Sequence, residues 1–529
     1  MGEIYKMLTK RSIAKAAVVI MLATLLGRFA GFIRETFIAA KFGASMATDA
    51  FLVAYTLPNI LGITITGAFN AAFIPVFTQN LLGEDREKAW RLASSMLNLV
   101  FLVFSAISVL GIIFAPVVVK LMAPGFNGQA VQLTVDLMRI MFPALIFLAL
   151  VGLTSGMLNA LNHFLMPSLG PLVSSLAIIG SLFLLTPAMG VYGLAVGTLA
   201  GFAGQFLITM PELVKRKFHY TMHLDYRDPD IRRIGELIVP VLIGVGIGQI
   251  NIIIDRILAS GLNEGSISAL NYAYRLMQLP LGLFVAAISV PIFPALSAYA
   301  AKNEMDRLKD ALVKGMNVFA LIMIPASVGL MVLSTPIVRL LFERGAFDRA
   351  DTAATAIALV FYSLGLVGYA ARDIMTRVFY AVEDTLSPVV IGAIGVAVHI
   401  VLNIILVRFM AHAGLALATS IITFLNMFLL GYWLRRKIGS FFPAEAWVTW
   451  GKVLLASGVM AAVVRLVAVK LAPFADSLGT RGLAIQVGGA VVTGAVVYAL
   501  VILLLKVPEV SIITGMVREK LKRGKHVHA

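Results

Sequence analysis

The sequence predicts an all-α polytopic membrane protein. Of its 529 residues, 60% are hydrophobic and only 13% are charged, whereas a soluble domain carries about 25% charged residues. The mean hydropathy of the chain is +0.94. A soluble fold cannot hide that much apolar surface, so we expect a lipid bilayer to be the solvent. A span takes about 20 apolar residues, which leaves room for a dozen or more spans.

Apolar runs between charged or Pro/Gly breaks predict fourteen transmembrane helices. Their predicted limits are 12–40, 48–81, 90–122, 131–160, 166–186, 190–213, 232–261, 266–300, 310–341, 352–381, 387–409, 412–434, 446–470 and 482–506.

Loop charges predict the orientation of these spans. With fourteen spans all basic clusters fall on one side, which the positive-inside rule assigns to the cytoplasm together with both termini. The net charge of +16 is thereby explained without nucleic-acid binding. The first apolar run is too long for a signal peptide. The basic clusters are Lys6, Lys10, Arg11 and Lys15; Arg86, Lys88 and Arg91; Lys215, Arg216, Lys217, Arg227, Arg232 and Arg233; Lys302, Arg307, Lys309 and Lys314; Arg435, Arg436 and Lys437; and Arg518, Lys520, Lys522, Arg523 and Lys525.

An internal repeat with an offset of about 220 residues predicts the domain organisation. Because each copy holds six spans, an even number, the copies are parallel, and such halves rock around a site near the midplane. Spans 13 and 14 lie outside the repeat. Matching segments are LPN at 57–59 and LPL at 279–281, APVVVKLMAPG at 115–125 and TPIVRLLFERG at 335–345, and YGLAVGT at 192–198 and AGLALAT at 413–419. The predicted domains are two six-helix bundles, 1–220 and 221–440, and a C-terminal part, 441–529, with two helices and a basic tail.

Charged residues inside predicted spans are candidates for function, because a charge at the bilayer centre costs about 2.5–3.5 kcal/mol on insertion scales. Arg28 and Arg275 each lie about ten residues, or about 15 Å, from the outer end of a helix in different repeats. We expect them to converge on one anion, since guanidinium groups bind phosphate bidentately. The charged positions are Arg28, Arg34, Glu35, Asp49, Asp255, Arg256, Arg275, Arg372, Asp373 and Arg377.

Structural roles are alternatives for most of these residues. Arg34 could snorkel to the surface, and Glu35 could pair with Arg28 on one helix face. Asp49 could cap the start of its own helix. The three charges of span 10 could form a local network, and His399 could be a packed, hydrogen-bonded residue.

A coupling cation, sodium or a proton, is a further hypothesis. Asp255 is a carboxylate in an otherwise apolar span, and Asn403 and Thr423 are polar residues in apolar stretches of the same repeat. Hard cations prefer several oxygen ligands. Val407 stands one turn after Asn403, where a second carboxylate would have strengthened the site. The alternative is an ion pair of Asp255 with Arg256 or Arg275. We expect no other cofactor.

Catalytic signatures are absent from the sequence. It has no cysteine, no P-loop and no metalloprotease or hydrolase motif. These absences predict a transporter, driven by a gradient or a membrane potential, rather than an enzyme.

Five segments resemble the MurJ/MviN family, and the resemblance as a whole covers all fourteen predicted spans. They are LGRFAGFIRETFIAAKFGASMATDAFLVAYTLPN at 26–59, GAFNAAFIPVF at 67–77, MAPGF at 122–126, YRLMQLPLGLF at 274–284 and LLFERGAF at 340–347. The resemblance implies a flippase of the multidrug/oligosaccharidyl-lipid/polysaccharide exporter fold. Such proteins move lipid II, an undecaprenyl-diphosphate peptidoglycan precursor, across the bacterial plasma membrane. It also implies contact with membrane lipids and cell-wall synthesis proteins.

The resemblance also implies a substrate-binding set. Arg28, Arg34 and Arg275 match the family's cavity arginines, and Glu35 and Asp49 match acidic positions. Two departures imply a smaller anion-binding set here. The stretch ILGITITGAF after LPN has no charge, and Gln278 stands where many members have Glu.

Three other functions remain open at this stage. They are a flippase for another lipid-linked oligosaccharide, a drug/cation antiporter of the same fold, and a scaffold without transport activity. Drug antiporters typically lack spans 13 and 14, and a scaffold has no need for buried arginines.

Overall fold

The computed structural model describes residues 2–83, 86–222, 224–225 and 227–510, and every regular element in these ranges is helical. The predicted basic tail with Arg518 and Lys520 lies outside the described residues. Up to residue 260 the helices are α1 (Gly2–Phe42), α2 (Met46–Leu82), α3 (Arg86–Met122), α4 (Gln129–Met141), α5 (Ala144–Ala160), α6 (Leu165–Leu184), α7 (Thr186–Met189), α8 (Val191–Lys215), α9 (Pro229–Ile247) and α10 (Ile250–Ala259). The elements that follow are α11 (Ser266–Pro280), a π-helical turn (Leu281–Val285), α12 (Ala286–Ala301), α13 (Met305–Val332), α14 (Ser334–Phe342), α15 (Arg349–Leu364), α16 (Leu366–Ala381), α17 (Leu386–Ile438), α18 (Ala444–Leu478) and α19 (Thr480–Leu504).

The helices agree with the predicted class of membrane protein. In the described ranges, eight single helices and two consecutive helix pairs, α4 with α5 and α15 with α16, are long and apolar enough to cross a bilayer. They make ten spans, and the bent pair of α9 and α10 would make eleven. The other three predicted spans lie on α1, on the helix interrupted by the π-helical turn, and on one arm of α17. The count of fourteen therefore stays a prediction.

Helix α17 contains two predicted spans in one element of 53 residues. At Ala411 the backbone leaves the helical region, with φ of 49° and ψ of −132°. This break falls between the predicted limits of spans 11 and 12. Just beyond it, a methyl group at Gly414 would lie 2.3 Å from the carbonyl oxygen of Leu406, so the turn between the two arms needs a glycine there.

The first compact unit comprises the chain up to Ser268 together with Gly345–Phe347. In this unit α2 packs against α3, α4, α5 and α9, while α6 packs against α1 and α8. A row of aromatic rings runs from Phe73 through Phe77 and Trp90 to Phe218, with centroid separations of 5.1, 5.7 and 5.5 Å. Phe218 follows α8, so the segment that links α8 to α9 is anchored on α3.

The second compact unit comprises Ala269–Arg344 and the chain from Asp348 onward. Here α13 packs against α12, α16 and α18, and α17 packs against α15 and α16. The α18–α19 pair is held by polar contacts to α13. Trp450 Nε1 donates to Asn317 Oδ1 at 3.0 Å, and Tyr498 donates to the Leu321 carbonyl at 2.7 Å. The predicted boundaries at 220 and 440 stay predictions.

Candidate functional site

Arg28 lies on an open face of α1. On an adjoining face, α1 contacts α6 through small residues one turn apart. A methyl group at Gly27 would lie 3.4 Å from Pro171 Cβ, and one at Gly31 would lie 3.8 Å from Ser175 Oγ. Small residues let two membrane helices approach closely, so α1 is fixed against α6 while Arg28 remains exposed. Within the described ranges Arg28 has neither a hydrogen bond nor an ion pair, which leaves its charge available to a ligand.

Arg34 and Glu35 form an ion pair on the next turns of α1. Arg34 Nη2 lies 2.7 Å from Glu35 Oε1, and the two side chains are only 13% and 6% exposed. Arg34 is therefore held against its neighbour rather than extended to the surface. Glu35 pairs with this adjacent arginine and not with Arg28, as the helix-face alternative had suggested.

Asp49 lies buried near the start of α2, with 3% of its surface exposed. Oδ2 accepts a hydrogen bond from the Gly265 amide at 2.8 Å, and Oδ1 accepts from the Ser268 amide at 2.8 Å and from the Ser268 hydroxyl at 2.5 Å. The carboxylate thus caps the N-terminus of α11, where exposed amides and the helix dipole favour a negative charge. A substrate role for Asp49 stays a prediction.

The turn before α11 depends on two features that sequence reasoning missed. Gly265 has φ of +84° and a methyl group there would lie 2.2 Å from the Ala44 carbonyl oxygen. Arg256 Nη1 donates to the Ile267 carbonyl at 3.2 Å. The only signal in the sequence is a glycine ahead of two closely spaced serines at a helix start. Neighbouring Asp255 is half-buried on α10.

In the second unit, Arg275 and Gln278 lie exposed and three residues apart on α11, so both side chains share one face of the helix. Gln278 Nε2 donates to the Tyr274 hydroxyl at 2.8 Å. The Tyr274 ring in turn meets Tyr362 edge-on at 5.6 Å. Arg28 belongs to the first unit and Arg275 to the second, so their convergence on one anion stays a prediction.

The two arms of α17 share a buried polar cluster. Asn403 Nδ2 lies 3.3 Å from His399 Nε2, which is 3.4 Å from Thr419 Oγ1. Thr423 donates to the Thr419 carbonyl at 2.6 Å. His399 is packed and hydrogen-bonded, as expected. Asn403 and Thr423 belong to the second unit and Asp255 to the first, so the cation site they were predicted to form is untested. The described residues hold no group of three or more His, Cys, Asp or Glu side chains suited to a metal ion.

Two of the three charged residues of α16, Asp373 and Arg377, form a polar network, and the third, Arg372, does not join it. Arg377 Nε and the Ser289 hydroxyl both donate to Asp373 Oδ2, at 2.9 and 2.6 Å. The Arg377 guanidinium also lies 5.9 Å from the centre of the Phe293 ring. Arg372 takes no part in this network and lines a separate cavity.

The fold and the site define the class of protein. It is an α-helical, multi-pass membrane protein with an exposed arginine inside a predicted span. Residues 38–478 match the family described as lipid II flippase MurJ. The chain belongs to this family.

Individual relatives are similar in sequence to this chain over most of their length. The lipid II flippase MurJ of Burkholderia cenocepacia is 35% identical over 454 residues, which cover 83% of this chain and 87% of that protein. The probable lipid II flippase MurJ of Rhizobium tropici is 31% identical over 97% of each chain.

Solved structures also match. Lipid II flippase MurJ in an inward closed conformation superposes with a TM-score of 0.77 and 28% identity, covering 92% of this chain and 98% of that one. An inward-facing multidrug resistance MATE family transporter of the MOP superfamily matches with a TM-score of 0.66 and 16% identity, covering 80% of this chain and 98% of that one. The second match shows a shared fold alone.

Proposed function

We propose that this protein flips lipid II from the inner to the outer leaflet of the bacterial plasma membrane. The substrate carries a diphosphate and a sugar–peptide head, neither of which crosses hydrocarbon unaided because charged and polar groups are costly there. The observation that carries the proposal is Arg28. It is an exposed arginine with no ion-pair partner among the described residues, in a chain whose relatives are named lipid II flippases. The protein transports its substrate and is not an enzyme.

Diphosphate binding is assigned to arginine in this proposal. A guanidinium stays charged at all physiological pH values and offers a planar fork of donors to phosphate oxygens. Arg28 and Arg275 are the proposed pair, because both are exposed inside predicted spans. Gln278 lies on the same face as Arg275 and is proposed to bind the sugar–peptide head. The ion pair of Arg34 and Glu35 is proposed to tune the electrostatic potential around Arg28.

Transport is proposed to proceed by alternating access. Both termini are proposed to be cytoplasmic, and cell-wall synthesis proteins are proposed partners.

Complementation tests the proposed function. The gene is expressed in a bacterium whose own lipid II flippase is depleted, and growth and the exposure of lipid II at the outer leaflet are measured. We expect both to be restored by the wild type. The proposal would be contradicted if growth were restored without exposure of lipid II, or if neither growth nor exposure were restored. Expression of the protein at normal abundance in the membrane is the control.

A further inference from the structure

Residues 218–221, in the segment that links α8 to α9, lie along the start of α3. Phe218 is 8% exposed, and its ring meets the Trp90 ring of α3 at 5.5 Å. The buried cluster that holds this ring also contains Leu213 near the end of α8, and Ile231 and Ile234 at the start of α9. The chain is therefore buried in one hydrophobic core before, within and after the linker.

Two side chains of α3 bind the backbone of this segment. The Thr221 amide donates to Ser94 Oγ at 3.2 Å, and the Thr221 carbonyl accepts from Asn98 Nδ2 at 3.2 Å. Asn98 Oδ1 also accepts from the Tyr220 hydroxyl at 2.6 Å. Backbone amides and carbonyls outside regular structure need such partners. Because Ser94 and Asn98 are four residues apart, they present both from one face of α3.

The first turn of α9 is held to α2 and α3 as well. Asp230 Oδ2 accepts from Asn80 Nδ2 at 3.0 Å and lies 3.1 Å from Lys88 Nζ. Arg233 Nη1 donates to Gln79 Oε1 at 3.2 Å. Helix α9 then packs against α2. The attachment that begins in the linker thus continues into the helix.

These contacts matter because of the place of α9 in the sequence repeat. The repeat predicts that α9 begins the second six-helix bundle, 221–440, whereas the contacts of its first turn are to α2 and α3, which belong to the first. A free linker would let such bundles rock without restraint, but here the linker and the first turn of α9 are both attached. Hinges are a few residues at the ends of elements, and the bend of 43° between α9 and α10 has that position.

We propose that residues 218–221 and 230–233 form a strap that stays bound to α2 and α3 throughout the transport cycle. The strap makes the start of α9 a fixed pivot, and the movement is taken up further along the helix. Local opening is rare where buried apolar contacts and hydrogen bonds act together. The inference rests on the proposed alternating access and adds the part of the molecule that does not move.

Crosslinking tests whether the strap stays closed. The chain has no cysteine of its own, so Asn98→Cys with Tyr220→Cys and Gln79→Cys with Arg233→Cys are joined by a short bifunctional thiol reagent. We expect both crosslinked proteins to translocate lipid II in liposomes. Single-cysteine variants treated with the same reagent are the controls. Loss of translocation on crosslinking either pair, with the controls still active, would overturn the proposal.

Loosening the strap tests whether it matters for transport. Ser94→Ala with Asn98→Ala removes the contacts to Tyr220 and Thr221. Asn127→Ala is the matched control, because the Asn127 amide contacts a carbonyl two residues away in its own loop. We expect several-fold slower translocation by the double variant, with unchanged lipid II binding, and a rate restored by crosslinking in Asn98→Cys with Tyr220→Cys. A wild-type rate in the double variant would overturn the proposal.

The yield of crosslinking separates this proposal from the proposed function, because it is measured without a transport assay. We expect the same yield for both pairs in the presence and absence of lipid II. A yield that falls when lipid II is added would show that the strap opens, and would overturn the proposal. Absence of translocation by the wild type would instead contradict the proposed function. Unchanged melting temperatures establish that the variants are folded, and the crosslinked pairs decide if the loosened variant is not.

Discussion

Asp49 accepts a hydrogen bond of 2.5 Å from the hydroxyl of Ser268, a residue 219 positions further along the chain. The same carboxylate accepts hydrogen bonds from the backbone amides of Gly265 and Ser268, so one buried charge fixes the first turn of α11. Hydrogen bonds to a charged group contribute about 1.5–3 kcal/mol each.

Replacing Asp49 by Asn should therefore destabilise the protein, because the neutral amide is a weaker acceptor and adds a donor facing the amides of α11. We expect a larger loss than for Ser268→Ala, which removes only one hydrogen bond to the charged carboxylate, worth about 1.5–3 kcal/mol. Thermal unfolding of the purified variants measures both. Asp136→Asn, at a half-exposed acid, is the control. An Asp49→Asn variant as stable as the wild type would contradict the capping role.

Removing the Arg34 side chain should lower the stability and membrane abundance of the protein more than removing the Arg28 side chain. Arg34→Ala takes away the cation 2.7 Å from the buried Glu35 carboxylate, and breaking a buried pair from one side costs about 3–5 kcal/mol. Arg28→Ala breaks no ion pair with any residue that the structure describes. We expect low membrane abundance for Arg34→Ala, recovery in Arg34→Ala with Glu35→Gln, and normal abundance for Arg28→Ala. If the double variant is no more abundant than Arg34→Ala, the ion pair is not what stabilises this part of α1.

The turn between α16 and α17 should respond to pH. Hydrogen bonding to Lys437 lowers the pKa of Asp384 to about 2, from an ordinary value of 3.8. Because the pKa is lower in the folded state, the stabilisation is complete above about pH 4 and is lost as the pH falls through about 2. Lys437 is 41% exposed, so solvent screening limits the contribution to about 0.5–1 kcal/mol.

Asp384→Asn should thus lower the free energy of unfolding at neutral pH by that amount, and by less near pH 2. Denaturation over a pH series measures the difference between wild type and variant. Asp384→Asn combined with Lys437→Met is the control, since it removes both charges. A difference that stays constant across the series would mean that the ion pair is not responsible.

The coupling cation is tested by Asp255→Asn. If Asp255 holds a cation, transport by the variant should no longer depend on sodium or on a proton gradient, while binding of a diphosphate lipid is retained. If Asp255 only pairs with an arginine, stability or substrate binding changes and the cation dependence does not. Asn403→Leu and Thr423→Val should reproduce the first pattern. Wild-type transport that is indifferent to both sodium and protons would leave membrane potential alone as the driving force.

Local features of the fold were predictable from the sequence because they depend on neighbouring residues. The break in α17 at Ala411 lies between the limits predicted for spans 11 and 12, where the run of apolar residues is interrupted. The packing of His399 was expected from its isolation in an apolar span. Buried polar side chains in folded proteins are mostly hydrogen-bonded.

Long-range pairing was not predictable in the same way. Asp49 looked like a cap for its own helix because Thr48 precedes it, yet its carboxylate caps α11, more than 200 residues away. Arg372 looked like part of a network with Asp373 and Arg377. Its position on the adjacent face of α16 turns it toward the cavity beside α17 instead. Such choices depend on which helices pack together, and one sequence does not contain that information.

Translocation of lipid II by the purified protein in liposomes is the most direct test of the central claim. Labelled lipid II starts in one leaflet, and its arrival in the other is measured for wild type, Arg28→Ala and Arg28→Lys. The account predicts translocation by the wild type, loss in Arg28→Ala, and partial activity in Arg28→Lys, because an ammonium cannot bind phosphate bidentately. Full translocation by Arg28→Ala at equal protein incorporation would contradict it.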